Sequence, residues 1–218
     1  MNATTSFAAR LLLLHRALDD AGISHGFGGA VALAYYVAEP RATRDIDLNI
    51  SVAVEHVRSV LAALPFGIGV DAGAEDAVAT TGQVRLWWDG PSGIPVDLFF
   101  PQHEFHRHVA RDVRPVPFLD ATIPIISATH LTVFKSLFNR PRDWPDIAAM
   151  RGVGAVDLDA ALGWLARLLG PQAGPYLRLS ELAAVEAARS THAGRTGLPE
   201  PEGAGPELPV VDWDRLGR

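Results

Sequence analysis

Apolar and polar positions change rhythm along this chain, and the changes mark its elements. Residues 6–21 carry a helical pattern, with Ser6 placed to cap the start and Gly22 to stop the end. Residues 23–27 predict a short strand, Gly28-Gly29 a turn, and 30–38 a helix ended by Pro40. Residues 44–51, RDIDLNIS, alternate polar with apolar, the period of a strand with one buried face. Residues 53–63 return to an amphipathic helix. QVRLWWD (83–89) and IPVDLFF (94–100), joined by GPSG, predict a β-hairpin. HEFHRHVARDV (103–113) is helical in pattern, and RPVPF and ATIPII are short strands interrupted by prolines. From Ser127 the pattern is helical over 127–138, 143–151, 157–169 and 174–192.

These elements predict an α+β fold: a mixed β-sheet with flanking helices, followed by a C-terminal helical bundle. The expected divisions are 1–126 for the sheet domain, 127–193 for the helical region and 194–218 for a Gly- and Pro-rich tail lying loosely or along the surface. There is no internal repeat.

Composition narrows the function. The chain has 218 residues, 48% of them hydrophobic and 20% charged, which is enough apolar material for a core and too little charge for disorder. A net charge of -6 argues against a broad nonspecific nucleic-acid surface, though a local basic patch stays open. Without cysteine there is no disulfide framework and no thiolate metal site. The first 22 residues lack the pattern of a signal peptide, no stretch is long enough to span a bilayer, and a cytoplasmic location is expected. Lys135 is the only lysine beside many arginines.

Asp45 and Asp47 stand on one face of the predicted strand while Ile46 and Leu48 face the core. Two bare carboxylates at that spacing repel. A hard divalent cation such as Mg²⁺ removes the conflict and also takes substrate phosphate oxygens. The alternative is a solvated face of an edge strand, paired with Arg41 and Arg44. Asp97 adds a third carboxylate in an apolar strand, where it needs a partner. That partner is either a metal in a two-metal site or an arginine. Gly28 and Gly29 lie between a strand and a helix, where bare backbone N–H groups can approach phosphate, unless they form only a tight turn. Lys135 has Val133, Phe134, Leu137 and Phe138 around it, so its stem is expected inside. Its ammonium suits a phosphate contact, against the alternative of a snorkelling surface lysine. Asp143 is placed to cap the next helix, and Asp146 to orient Lys135 or a substrate hydroxyl.

GFGGAVALAYY followed by RATRDIDLNI, and then FKSLFNRPRDWPDI, resembles the polymerase-β-like nucleotidyltransferase superfamily. In detail it is similar to the AbiEii/MenT toxins of bacterial toxin–antitoxin pairs. The resemblance covers roughly residues 23–150. It implies that Asp45, Asp47 and Asp97 are Mg²⁺ ligands, with Asp97 also a candidate base. It implies that Gly28, Gly29, Arg44 and Lys135 bind the nucleotide, and that Asp146 is the acid of a Lys…Asp motif, with Asp143 as the competing match. Many superfamily members carry Gly-Ser where this chain has Gly28-Gly29. The function implied is transfer of NMP from an NTP to a hydroxyl, at the tRNA 3′ end, by a toxin held in check by an antitoxin. Two alternatives stay open: the same chemistry on a small acceptor such as an aminoglycoside, and a noncatalytic nucleotide-binding module.

Other features weigh less. His103, His106 and His108 do not have the spacing of a standard zinc motif and fit a polar helix face. Arg107, Arg111 and Arg114, with Arg140, Arg142 and Arg151, offer a local basic surface for RNA phosphates or simply a solvated face. Trp87, Trp88 and Trp144 are expected in the core.

Overall fold

The computed structural model describes residues 5–193, which form two compact units dividing between Ser127 and Ala128. The first is built on a seven-stranded mixed sheet. It opens with α1 (Phe7–Asp20), whose N-terminus is capped by Ser6 Oγ accepting the Ala9 N–H at 3.2 Å. Leu11, Leu14 and Leu18 recur on its inner face and are fully buried. Gly22 takes φ +68° and turns the chain out of the helix.

The strands are β1 (His25–Phe27), β2 (Ile46–Ile50), β3 (Ile68–Gly69), β4 (Gln83–Trp88), β5 (Ile94–Phe99), β6 (Val113–Phe118) and β7 (Ala121–Ile126). Their order across the sheet is β3-β4-β5-β2-β1-β7-β6. β2 pairs parallel with β5, and β1 parallel with β7; the other neighbours are antiparallel. β2 is therefore central, which removes the edge-strand alternative for Asp45 and Asp47. Pro115 and Pro117 fall on β6 at one edge of the sheet, the position where a missing N–H is tolerated.

Helices fill the connections: α2 (Gly29–Leu33), α3 (Val57–Ala63) after a 3₁₀ turn at Val54–His56, α4 (Ala74–Thr81) and α5 (Glu104–Arg111). The core under the sheet contains Ile46, Leu48, Leu86, Val96, Leu98 and Phe27. α2 is shorter than the predicted 30–38 helix. Tyr35 and Tyr36 instead lie in a turn, donating their hydroxyls to the carbonyls of Pro117 at 2.8 Å and Ile126 at 3.0 Å. β3 and α4 have no sequence signature. β3 is two residues long, and α4 buries only Ala74 and Val78, too few to set a rhythm.

The second unit holds α6 (Ala128–Phe138), α7 (Asp143–Gly152), α8 (Leu158–Leu169) and α9 (Gly174–Ala193). Leu131, Ile147, Met150, Leu165 and Leu179 are buried in it. The predicted tail at 194–218 lies outside the described residues. No helix among the described residues is long and apolar enough to cross a membrane.

Candidate active site

The parallel ladder between β2 and β5 sets Asp47 directly opposite Asp97. Directly paired residues point to the same face, and Asp45 precedes Asp47 by two, so three carboxylates share one side of the central sheet. Ile46 and Leu48 face the other way and are fully buried. The Asp45 backbone is fixed by its N–H, which donates to Thr43 Oγ1 at 3.2 Å.

Gly28 and Gly29 sit against this face. The Gly28 N–H donates to the Asp47 carbonyl at 2.8 Å, which joins the end of β1 to β2. Gly29 has φ +51°, and a Cβ there would fall 1.8 Å from Asp47 Oδ2. No side chain at 29 can coexist with this carboxylate position. α2 spans only five residues, so any anion affinity here comes from local N–H groups rather than from a long helix dipole.

Asp97 already has a partner. Arg85 lies opposite it in the β4–β5 hairpin and donates from Nε to Oδ1 at 2.7 Å and from Nη2 to Oδ2 at 2.6 Å. The arginine alternative for Asp97 is thus realised in this structure, with an arginine whose side chain is 54% exposed against 15% for the aspartate. Hydrogen bonding to Asp97 holds the Arg85 guanidinium more firmly protonated than usual. Partial burial opposes this, and the charges of Asp97, Asp45 and Asp47 reinforce it. Arg85 was absent from the sequence-derived site, yet the hairpin implied it. Its ladder runs symmetrically from Trp88 with Ile94 to Gln83 with Phe99, so counting back from the turn sets Arg85 against Asp97.

A divalent ion fits part of this arrangement. Asp45 and Asp47 supply hard oxygen donors, and the Asp47 carboxylate itself occupies the space that a Cβ at Gly29 would fill. Among the described residues, however, no three His, Asp or Glu side chains form a group able to hold a metal ion. Asp97, the third expected ligand, is held by Arg85.

In the second unit, Lys135 is only 2% exposed, head group included, so it is not a snorkelling lysine. Its Nζ is 2.6 Å from Asp146 Oδ2 and 3.7 Å from Asp143 Oδ1. Asp143 is fully buried and does not cap α7. Its carboxylate accepts from the Arg140 backbone N–H at 3.1 Å and pairs with both sides of the Arg140 guanidinium fork. Burial pushes the Asp143 carboxyl up, but the Arg140 hydrogen bonds and the Arg140 and Lys135 charges outweigh it and hold it below the ordinary value. Trp144 is buried as expected and donates to Asn139 Oδ1 at 2.9 Å.

No family model matches the chain, and no curated protein matches it in sequence. Among solved structures, the lincomycin-bound lincosamide antibiotic adenylyltransferase LnuA is similar at 14% identity and a TM-score of 0.48, over 68% of this chain and 98% of that one. An antigenic nucleotidyltransferase-like protein from Paracoccidioides brasiliensis is similar at 17% identity and a TM-score of 0.48, over 77% and 91%. The antibiotic-resistance factor ANT(2'')-Ia is similar at 14% identity and a TM-score of 0.42, over 86% and 97%. Likenesses this distant assign neither a family nor a substrate.

The remaining predicted residues are scattered. Arg44 is exposed on the segment leading into β2. The His103 and His106 rings lie 4.4 Å apart at the start of α5. Arg107 lines a cavity of about 570 Å³ with Ser51, Pro101 and Gln102, beyond the C-terminal ends of β2 and β5. Ser51 is four residues past Asp47, about 13 Å along the strand. Arg107 therefore does not surround the carboxylates. Arg140 is tied to Asp143, and Arg151 donates to the Leu182 carbonyl at 2.5 Å, so both have structural partners.

Proposed function

We propose that this chain is a nucleotidyltransferase that moves NMP from an NTP to a hydroxyl acceptor and releases pyrophosphate. The observation that carries this reading is the register pairing Asp47 with Asp97, with Asp45 on the same face and Gly29 pressed against Asp47. In such a reaction the hydroxyl oxygen forms a bond to the α-phosphorus, the bond to the β-phosphate bridging oxygen breaks, and the hydroxyl proton leaves to a base. Asp45 and Asp47 would hold Mg²⁺, which when bound would offset triphosphate charge and acidify the attacking hydroxyl. Asp97 is the candidate base and third ligand once separated from Arg85. The N–H groups around Gly28 and Gly29, with Arg44, would meet the phosphates. Lys135 and Asp146 are assigned to the nucleotide by the sequence resemblance, a role in which the ammonium would exchange a carboxylate for a phosphate oxygen.

The proposed acceptor is the 3′ end of tRNA and the proposed role a toxin restrained by an antitoxin, both resting on the sequence resemblance. Exposed Arg107, Arg111 and Arg114 are available to RNA phosphates away from the carboxylates. The test incubates the protein with Mg²⁺, total tRNA and each labelled NTP in turn, beside Asp45→Asn and Asp47→Asn. Label entering tRNA from one NTP, and falling at least about a hundredfold in both variants, is expected. Bound NTP without label in RNA would sink the tRNA assignment and direct the search to small hydroxyl acceptors. Growth arrest on expression, lost with Asp47→Ala, is the outcome expected of a toxin.

A further inference from the structure

The segment that joins α6 to α7 turns its acids inward and its cations outward. Asp146 is buried on the Lys135 ammonium at 2.6 Å, and Asp143 is buried on the Arg140 guanidinium at 2.8 Å. What the segment shows to solvent is Phe138, 46% exposed, with Arg140 and Arg142. The Arg140 guanidinium carbon lies 4.7 Å from the centre of the Phe138 ring. A third cation comes from α9, where exposed Arg178 sits 4.3 Å over the Trp144 ring. Trp144 donates to Asn139 Oδ1 at 2.9 Å, which ties this second stack to the residue next to Phe138. The backbone is held before any ligand comes. Asn139 takes φ +50° and its N–H donates to the Lys135 carbonyl at 2.9 Å, the Arg140 N–H donates to Asp143, and Pro141 fixes its own φ. Glu181, three residues beyond Arg178 on α9, is an exposed acid on the same helix.

We propose that this face of the helical unit binds a single-stranded nucleic-acid segment, with Arg142 and Arg178 on phosphates and Phe138 with Arg140 as a platform for a base. As a docking place for an RNA acceptor it rests on the transfer reaction proposed above; the binding itself does not need that reaction. The arginines divide the work. Arg140 gives Nε and Nη2 to Asp143, so it contributes a flat cationic surface rather than a fork. The Arg142 side chain makes no capping bond to α7, and its planar fork matches phosphate oxygens. A guanidinium stacked on a ring, as Arg178 is, uses its face and keeps its N–H edge for an anion. Bases in a duplex cover one another's faces, whereas an exposed ring beside a guanidinium suits an unstacked base. Lipid headgroups offer no ring to stack, so the two stacks favour a nucleic acid over a membrane. The chain as a whole carries -6, so the attraction is local and must weaken steeply with salt.

The test follows the fluorescence anisotropy of labelled oligouridylate and oligothymidylate, each of about ten nucleotides, in chelator and without NTP. Arg142→Gln and Arg178→Gln should each weaken binding about tenfold and lower the slope of log affinity against log salt by about 0.7. Phe138→Leu should weaken it at least about fivefold with the slope unchanged, because stacking releases no counterions. All three side chains are exposed, and matching thermal melts check the fold. Tighter binding of the RNA supports an RNA acceptor; tighter binding of the DNA keeps the surface and removes that acceptor. Asp45→Asn should bind as wild type does, so lost transfer with intact binding would fault the reaction and leave this surface standing. Wild-type affinity in all three variants, with loss in Arg107→Gln and Arg111→Gln, would move the nucleic acid to α5 and overturn the proposal. Binding of neither oligonucleotide would overturn it too, and sedimentation with phosphatidylserine vesicles that Phe138→Leu abolishes would then make the face a lipid contact.

Discussion

At the residue scale, the site depends on what is missing from Gly29. Its φ of +51°, and the 1.8 Å that would separate a methyl group there from Asp47 Oδ2, mean that Gly29→Ala must both strain the backbone and push the carboxylate away. We expect about 1–2 kcal/mol of lost stability in urea unfolding and loss of Mn²⁺ binding. Unchanged Mn²⁺ affinity would show that the Asp47 carboxylate is not a ligand. Lys135 presents the opposite case, a charge held entirely inside by Asp146 and Asp143. Lys135→Met removes the ammonium from beside two buried carboxylates and should cost about 3–5 kcal/mol. The double variant Lys135→Met/Asp146→Leu should recover part of that loss. A loss below about 1 kcal/mol for the single variant would mean that the ion pair is dispensable. The glycine doublet and the lone lysine were both visible in the chain. Asp146 was expected to orient Lys135 or a substrate hydroxyl, and it takes the lysine at 2.6 Å; the 1.8 Å approach of a Cβ at Gly29 to Asp47, 18 positions away, was not legible because folded geometry makes it.

At the element scale, strands and helices followed the apolar rhythm wherever it ran long enough. The hairpin 83–88 with 94–99 and all four helices after Ser127 lie where alternation and helical spacing set them. The rhythm failed at α2, where the hydroxyls of Tyr35 and Tyr36 reach carbonyls on β6 and β7 and the helix ends after Leu33. Local signals also set helix starts. Asp157 caps α8 by accepting the Ala160 N–H at 2.9 Å. Asp157→Ala should lower stability by about 1 kcal/mol, with Asp157→Ser close to wild type. Equal melting temperatures for Asp157→Ala and wild type would show that the α8 start is held by tertiary contacts instead.

At the scale of the whole molecule, the pH dependence of stability follows from groups other than the three strand carboxylates. Burial, with a smaller push from His103, lowers His106 to about 4 from its ordinary 6.5. Burial also lowers His25, opposed by its hydrogen bond to the Ile23 carbonyl and aided by His15. A depressed folded pKa means that the unfolded chain takes up protons first, so this stability is complete above about pH 6.5 and is lost as pH falls towards 4. Asp143 adds a further loss in the same direction below its ordinary 3.8. Melting temperature should decline steadily from about pH 7 to about pH 4.5, and His106→Gln should flatten the slope; a wild-type profile flat over that range would refute this account.

The sequence by itself determined the α+β class and most element positions, because local periodicity and turn residues are written in the order of residues. Only the tertiary structure decided that β2 lies at the sheet centre, that Asp47 meets Asp97, and that the Lys135 head group is buried with both Asp143 and Asp146 beside it. Strand order and the register between strands distant in the chain are set by packing the whole chain, and no local pattern encodes them.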